Sequence, residues 1–313
     1  MLRHVLLISL LILAAAARPA AASSLEIATW NLQWLIAPQV FKPLKEKCAP
    51  KGVPVSGKQR RLPCDVAYRL ERSTRDFQML AQYARQLDAD IIALQEVDGA
   101  EAARLVFPGY DFCFTGRRNV QNNGFAIRNG VPHRCGSDIR ELSLDDRVRR
   151  GKELTVYPGE AREIRLLSVH LKSGCQRDAL TMDKPACRDL ARQLAILERW
   201  IDEQAAAGRR FAVLGDFNLD LSDGTAAWAE LDDRHPPEAD LVNAAAGERF
   251  INCTPGQRYP GYIDYIVLSR RLGTERVSNS FERVTYNAAD SRRTKLSDHC
   301  PLAIRLAPVA RGR

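Results

Sequence analysis

Short apolar segments that each end in a polar or charged side chain constrain the fold of this 313-residue chain more than any other feature. Their length and composition predict buried strands rather than helices. Two longer stretches have helical spacing instead: residues 73–87, which begin at the capping residue Ser73, and residues 188–207, which stop at Gly208. Many strands beside only two strong helices predict an α+β protein, a β-sandwich flanked by helices rather than a doubly wound sheet. The predicted strands cover residues 25–31, 90–94, 164–170, 211–214, 263–268 and 302–306.

The residues at or just beyond the strand ends are of the kinds that bind cations and transfer protons. Any one of them, taken alone, has an ordinary structural explanation as a turn residue or a cap. Apolar strands that converge on carboxylates, amides and two imidazoles are instead typical of metal-assisted phosphoryl chemistry. The sequence has no Gly-x-Ser-x-Gly elbow or P-loop that would suggest another route. The residues in question are Asn31, Glu96, His170, Asp216, Asn218, Asp264, Asp298 and His299.

The first 22 residues predict a signal peptide. A short cationic start at Arg3 and His4 precedes the apolar run 5–17, and Ala20 to Ala22 supply small residues for cleavage. A membrane anchor is the alternative, but the apolar run is short for a bilayer core of ~30 Å. We therefore expect cleavage near Ala22, a secreted or periplasmic protein, and no stable membrane insertion afterwards.

Eight cysteines, an even number, follow this segment. In an oxidising compartment they predict up to four disulfides, whose connectivity the sequence does not fix. A zinc site is disfavoured because no Cys-x2-Cys pair exists. Pairing each cysteine with its neighbour gives Cys48–Cys64, Cys113–Cys135, Cys175–Cys187 and Cys253–Cys300.

The remainder, residues 23–313, is long enough for one large domain. Residues 37–72 are rich in Pro, Gly, Lys and Arg and predict a long loop insertion. The formal net charge of +8 suits an anionic partner such as nucleic acid or acidic lipid, although mere solubility explains it as well. We expect a monomer.

Six segments resemble, in order, the motif series of the endonuclease/exonuclease/phosphatase superfamily, to which deoxyribonuclease I belongs. They span nearly the whole chain beyond the signal peptide. GDFN and SDH are each short enough to occur by chance, whereas six motifs in order are a strong signal. The segments are TWNLQWL (29–35), LQEVD (94–98), SVHLKS (168–173), GDFNLDL (215–221), YIDYIVLS (262–269) and LSDHCPL (296–302).

The resemblance implies a four-layered α/β sandwich, with two packed, mostly antiparallel sheets between helices and an active site at one rim. It implies that Glu96 is the principal ligand of Mg²⁺, with Mn²⁺ or Ca²⁺ as alternatives, and that Asn31 and Asp298 assist. Whether one or two ions act is left open.

The resemblance also implies roles for the remaining polar residues. Asp216 would orient or deprotonate water, and Asn218 would hold a phosphate oxygen. His170 and His299 would contact the phosphate, one on the side of the nucleophile and the other on the side of the leaving group. Asp264 would fix the tautomer of His299.

Two positions depart from the family pattern. The histidine that matches His170 is held by a glutamate in deoxyribonuclease I, but residues 116–124 contain no acid. Gln121 or Asn123 is the candidate substitute. The family's phosphate-binding arginine is assigned to Arg150, with Arg149 as the alternative and a solvated surface charge as the ordinary explanation of both.

Taken together, these features predict a metal-dependent endonuclease that acts on DNA with little sequence specificity, and they leave open whether RNA is a substrate as well. Basic clusters at Arg60–Arg61, Arg147–Arg150 and Arg292–Lys295 are the predicted contacts to a phosphate backbone. A sphingomyelinase-like phospholipase is the alternative, disfavoured because Trp228 and Phe250 are isolated aromatics rather than an exposed pair. A non-catalytic binding protein on the same scaffold is a further alternative.

Overall fold

The computed structural model describes residues 24–48, 62–175, 180 and 182–308. The predicted signal peptide and the basic pair Arg60–Arg61 therefore lie outside the described residues. Two six-stranded sheets form the centre of the fold, with strand orders β11-β12-β1-β2-β4-β3 and β5-β6-β7-β8-β10-β9. The strands are β1 (Leu25–Leu35), β2 (Ile91–Val97), β3 (Tyr110–Phe114), β4 (Asn122–Arg128), β5 (His133–Ile139), β6 (Gly151–Val156), β7 (Ile164–His170), β8 (Phe211–Asp216), β9 (Leu241–Asn243), β10 (Asp264–Ser269), β11 (Glu282–Arg283) and β12 (Leu302–Leu306).

Helices cover the outer faces of both sheets. The longest, α5, places Leu194, Leu197 and Ile201 against the second sheet, and α3 places Phe77 and Leu80 against the first. These are the two helices that the apolar spacing predicts, and Ser73 forms a capping box with Asp76 at the start of α3. The helices are α1 (Pro38–Lys45), α2 (Cys64–Arg69), α3 (Thr74–Leu87), α4 (Ala100–Arg104), α5 (Pro185–Ala206), α6 (Ala226–Leu231), α7 (Arg270–Gly273) and α8 (Ala288–Arg293).

The layers are helix, sheet, sheet and helix, so the predicted four-layered sandwich is confirmed. A third apolar cluster fills the space between the sheets and contains inward-facing residues of both. Each sheet has one parallel pair, β1 with β2 and β7 with β8, and its other pairs are antiparallel. Consequently the carboxyl ends of these four central strands lie at one rim of the sandwich.

The space between the sheets becomes more polar toward that rim. Alternate residues of a strand face the same side, so each inward residue is followed by another two positions later. Thr29, Gln95 and Ser168 form a buried hydrogen-bonded chain across the two sheets, with distances of 3.2 Å and 3.3 Å. From the interior to the rim, the successive layers are Ile27, Ile91 and Leu166, then Thr29, Ala93 and Ser168, then Asn31, Gln95, His170 and Asp216.

Segment 37–72 is not the uninterrupted loop that its composition predicts. It contains α1 and α2, which pack Phe41, Leu44 and Val66 into a small apolar cluster of their own. Pro38 stands in the first turn of α1, where its missing N–H costs nothing. The high proportion of proline and charge therefore concealed two short helices.

All four neighbouring cysteine pairs form disulfides, with Cα–Cα separations between 4.8 Å and 5.6 Å. Cys113–Cys135 joins β3 of one sheet to β5 of the other, and Cys253–Cys300 holds the loop before β10 against the segment before β12. This set of crosslinks is typical of an extracellular or periplasmic protein. Among the described residues, no helix has the length and apolar character needed to cross a bilayer.

Candidate active site

The polar strand ends meet at the rim where the parallel pairs end. His170 and Asp216 are register partners across β7 and β8, and Asp216 and Asp264 are register partners across β8 and β10. Register partners on neighbouring strands face the same side, so the three side chains lie in one row. Glycine is required beside this row, because a Cβ on Gly215 would lie 2.0 Å from the carbonyl oxygen of Val169.

Asp216 is the centre of the cluster and is almost completely buried. Its Oδ2 accepts a hydrogen bond from Asn31 Nδ2 at 3.0 Å and lies 3.4 Å from His170 Nε2 and 3.9 Å from His299 Nε2. Burial raises the pKa of Asp216 to about 7; the charge of His299 opposes this shift and that of Asp264 reinforces it. A carboxyl group that titrates near neutrality is suited to take a proton from water.

His299 is held by Asp264. Its Nδ1 lies 2.8 Å and 3.0 Å from the two carboxylate oxygens of Asp264, so one ring nitrogen is committed and Nε2 faces the cluster. Burial by itself would lower the pKa of His299, but the charge and hydrogen bond of Asp264 raise it well above the ordinary value. His299 is therefore held as an imidazolium ion, which can bind an anion or donate a proton.

The second histidine of the cluster, His170, has the opposite charge state. Burial, together with the positive charge of Arg149, lowers the pKa of His170 well below the ordinary value, so its imidazole is neutral. Its buried Nδ1 has no hydrogen-bond partner among the described residues. Neither proposed substitute for the missing glutamate reaches it, since Gln121 donates to Glu96 at 2.8 Å and Asn123 donates to the Arg150 carbonyl at 2.8 Å.

Glu96 lies on the other side of the buried amide Asn31. Its carboxylate accepts hydrogen bonds from Asn31 Nδ2 at 3.4 Å, from the Trp34 N–H at 3.2 Å and from Gln121. The Oδ1 of Asn31 accepts a hydrogen bond from the Gln33 N–H at 2.9 Å. In this arrangement Asn31 links the two carboxylates as a donor, and its place among the metal ligands stays a prediction.

The segment 297–299 brings Asp298 and His299 to the rim through backbone and side-chain contacts. Ser297 Oγ donates to the Asn31 carbonyl at 2.7 Å and accepts from the His299 N–H at 3.1 Å. The Asp298 N–H donates to Gln33 Oε1 at 3.2 Å. Asn218 completes the cluster, because its N–H donates to Asp216 Oδ1 at 2.9 Å.

The assignment of Arg150 to the site needs correction. Arg150 is paired with Asp146 at 2.8 Å and Asp138 at 3.4 Å, and both acids lie outside the cluster. Arg149 is the buried cation whose charge acts on Glu96, Asp216 and His170. The two arginines are adjacent just before β6, so their side chains diverge. Arg147 is likewise paired, with Asp189, so the basic run 147–150 is largely neutralised.

Arg72 holds two segments of the rim together, and it lies outside the motifs that the sequence shows. Its guanidinium is buried and donates to five backbone carbonyl oxygens at distances of 2.9–3.2 Å. Three of these belong to the end of β1 and two to the segment that leads into Asp298 and His299. Burial lowers the pKa of Arg72 to about 10. Segment 37–72 contains several arginines, and no feature of its sequence indicates that Arg72 is the buried one.

The donor set of the cluster fits a divalent cation. Glu96, Asp216, Asp264 and Asp298 bring four carboxylates to the rim, and His299 and Arg149 are the cations beside them. Asp216 and Asp264 offer carboxylate oxygens within 4.8 Å of one another. Burial raises the pKa of Asp216 because it penalises the charged carboxylate, and a hard divalent ion nearby would stabilise that charge.

Comparison with known proteins agrees with the family resemblance of the sequence. The model of the "Endonuclease/Exonuclease/phosphatase family" matches residues 28–299. A search of curated protein sequences found no match.

Several solved structures share the fold. Truncated TDP2 from Caenorhabditis elegans superposes with a TM-score of 0.58 at 14% identity, covering 91% of this chain and 98% of that one. An endonuclease/exonuclease/phosphatase from Bacteroides vulgatus gives 0.57 at 15% identity, covering 92% and 100%. The mannosyl-6-phosphatase Bt3783 of Bacteroides thetaiotaomicron gives 0.53 at 16% identity, covering 91% and 100%. At these identities the likeness concerns the fold alone.

Proposed function

The chain belongs to the endonuclease/exonuclease/phosphatase family, and from that premise we propose that it is an exported, divalent-metal-dependent phosphodiesterase that hydrolyses DNA, and RNA as well. Members of this family are generally metal-dependent hydrolases of phosphoester bonds. The observation that carries the proposal is the pair of imidazoles in opposite charge states on either side of Asp216. Such a pair, beside a carboxyl group that titrates near neutrality, suits hydrolysis by an activated water.

Each residue has a role that its contacts allow. Asp216 accepts the proton of the attacking water, and the neutral His170 lies 3.4 Å away to orient that water. The His299 imidazolium, held by Asp264, binds the phosphate and protonates the departing oxygen. Asn218 retains an amide hydrogen for a phosphate oxygen, because its Nδ2 donates to the Leu171 carbonyl alone among the described residues.

The buried Arg149 replaces Arg150 as the cation that offsets phosphate charge. Glu96 would hold the metal, with Asp298 next to it. When bound, a divalent ion neutralises the phosphodiester and polarises its P–O bond.

Nucleic acid is the favoured substrate because the chain without its predicted signal peptide keeps a net charge of +6, two less than the full chain, and because Arg292 and Arg293 are exposed on α8. The lipid alternative receives less support. Phe250 packs edge-to-face on Tyr262 at 5.0 Å, and Trp228 packs against the core beside α5, so neither forms an exposed insertion element. Two large apolar residues in the loop before β10, Ile251 and Tyr259, are exposed, and for this reason a lipid substrate is included in the test.

One panel of substrates tests the proposal. Purified protein is incubated with plasmid DNA, RNA and sphingomyelin vesicles, each with Mg²⁺, Mn²⁺, Ca²⁺ or chelator. We expect cleavage of DNA and RNA that stops in chelator. Sphingomyelin hydrolysis beside intact DNA would refute the nuclease assignment, and activity in chelator would refute the metal.

Glu96→Gln tests the metal ligand. The amide keeps the shape but lacks the charge that a hard cation needs, so activity should fall by roughly 10²–10³ with the fold intact. Glu101→Gln, an exposed change on α4, is the matched control and should leave activity unchanged. Near-normal turnover of Glu96→Gln at low Mg²⁺ would show that the ligand assignment is wrong.

A further inference from the structure

A cavity of about 420 Å³ opens beside the catalytic cluster on the side of His299. Asp264, Asp298 and His299 line one end of it, and the loop before β10 lines the other. This volume is in the range of pockets that enclose a small organic group. The cavity is therefore a subsite for a part of the substrate that lies next to the reacting phosphate.

The wall of the cavity is aromatic and held firmly. Phe250 and Tyr262 pack edge-to-face, and the Arg283 guanidinium lies 4.7 Å from the centre of the Phe250 ring and 5.0 Å from that of Tyr262. Arg283 also donates to both sulfurs of the Cys253–Cys300 disulfide, at 3.3 Å and 3.1 Å. Because Cys300 follows His299 directly, this wall is fixed relative to the catalytic imidazole.

Tyr259 is the exposed member of this aromatic lining. Its side chain is at the cavity, yet the residue is 47% exposed, which is high for a large aromatic residue. Its backbone N–H is anchored on Asn252 Oδ1 at 2.8 Å. The residue lines the same cavity as Asp264, Asp298 and His299. A solvent-accessible ring on an anchored backbone beside these carboxylates is a stacking surface.

Arg258 adds a positive charge at the same place. Its Nη1 donates to the carbonyl oxygens of Pro255 and Gln257, at 3.1 Å and 2.9 Å, so the guanidinium stays at the loop. The residue is exposed and lines the cavity. An aromatic face beside an arginine is the combination that binds a base and its phosphate in single-stranded nucleic acid.

We propose that the cavity takes up one unpaired nucleobase, stacked on Tyr259, from the nucleotide next to the scissile phosphate. This rests on the proposed function and specifies its substrate class as single-stranded or end-frayed nucleic acid. A base in a duplex is paired and stacked, and reaching the cavity would cost the energy of extruding it. The protein therefore favours single strands over duplexes of the same length.

Binding measured in chelator tests the subsite separately from catalysis. The probes are a fluorescent single-stranded oligonucleotide, the same sequence as a duplex, and the same backbone with abasic sites. We expect the base-carrying single strand to bind best. Tyr259→Ala should raise its Kd about tenfold and leave the abasic probe unaffected, since stacking is lost only where a base exists. Tyr259→Phe should retain the affinity, and Leu105→Ala, an exposed apolar residue outside the cavity, is the control.

Several results would overturn the subsite. Equal affinity for the abasic and base-carrying strands would mean that the cavity holds a sugar or only the backbone. Equal affinity for duplex and single strand, no effect of Tyr259→Ala, or no binding at all would also refute it. Failure of the proposed function appears elsewhere, as plasmid DNA, single-stranded DNA and RNA that all stay intact after incubation of the wild-type protein with metal.

Discussion

The coupling between Asp264 and His299 gives the sharpest test of the mechanism. Asp264→Asn keeps the shape of the side chain but removes the charge that holds the imidazolium, and its amide can present N–H groups to Nδ1. A hydrogen bond to a charged group contributes about 1.5–3 kcal/mol, and positioned proton transfer contributes about 10²–10⁴ in rate. We therefore expect Asp264→Asn to lower kcat about 10²–10³-fold, or about 3–4 kcal/mol in activation free energy.

His299→Ala removes both the proton donor and the phosphate contact, so we expect a loss of about 10³–10⁴ in kcat. If the two residues act as one unit, the double variant should be little worse than His299→Ala alone. If they act independently, the losses should multiply to about 10⁵–10⁷.

The assay is kcat on a fluorogenic oligonucleotide at saturating Mg²⁺ for the wild type, the two single variants and the double variant. Melting temperatures must be measured as well, because His299→Ala leaves the Asp264 carboxylate buried without its imidazole partner. All rates are therefore compared at a temperature where every variant is folded. Multiplying losses, or a threefold effect of Asp264→Asn, would remove the pair from the mechanism even if nuclease activity survived.

Three further outcomes follow from other features. Arg72→Met removes a cation that satisfies five carbonyl oxygens, so melting should fall by roughly 10 °C, whereas the exposed Arg75→Met should change it little; equal effects would contradict the organising role. Asp216 keeps its proton up to about pH 7 in the folded protein but loses it near the ordinary pKa of 3.8 in the unfolded chain. In chelator, the free energy of unfolding should therefore decrease as the pH rises between these two values. Asp216→Asn should flatten this pH dependence, and an unchanged pH dependence would count against the raised pKa. Thiol titration of the denatured, unreduced protein should detect almost no free cysteine, and most of the eight reacting would overturn both the disulfides and the proposed export.

Strong local patterns allowed much of the fold to be predicted. The boundaries of β7 and β12 match the predicted strands 164–170 and 302–306, because most residues of these segments are apolar and become buried. Helix α3 begins where Ser73 caps it. In contrast, α1 and α2 are held by packing between themselves and by the Cys48–Cys64 crosslink, and neither interaction leaves a periodic signal in a short segment.

The site residues, too, could be predicted from the sequence only in part. Side chains at the ends of strands could be found because each lies at or next to one end of an apolar run, and register then brings His170, Asp216 and Asp264 into one row. The choice between Arg149 and Arg150 could not be made, since the two are adjacent and only the start of β6 decides which one points inward. Arg72 depends on five carbonyl groups from two distant segments, and no local pattern encodes that.

The first strand of the described chain pairs with the last. Leu25 lies opposite Leu306, and β12 stands inside its sheet between β11 and β1. That sheet therefore cannot close until almost the whole chain has been synthesised, and contacts this far apart in sequence make folding slow. A chain that stays unfolded during synthesis can be threaded through a translocation pore. The strand order of this sheet thus delays the completion of folding, which suits export of an unfolded chain. Folding would then be completed in the compartment where the disulfides can form.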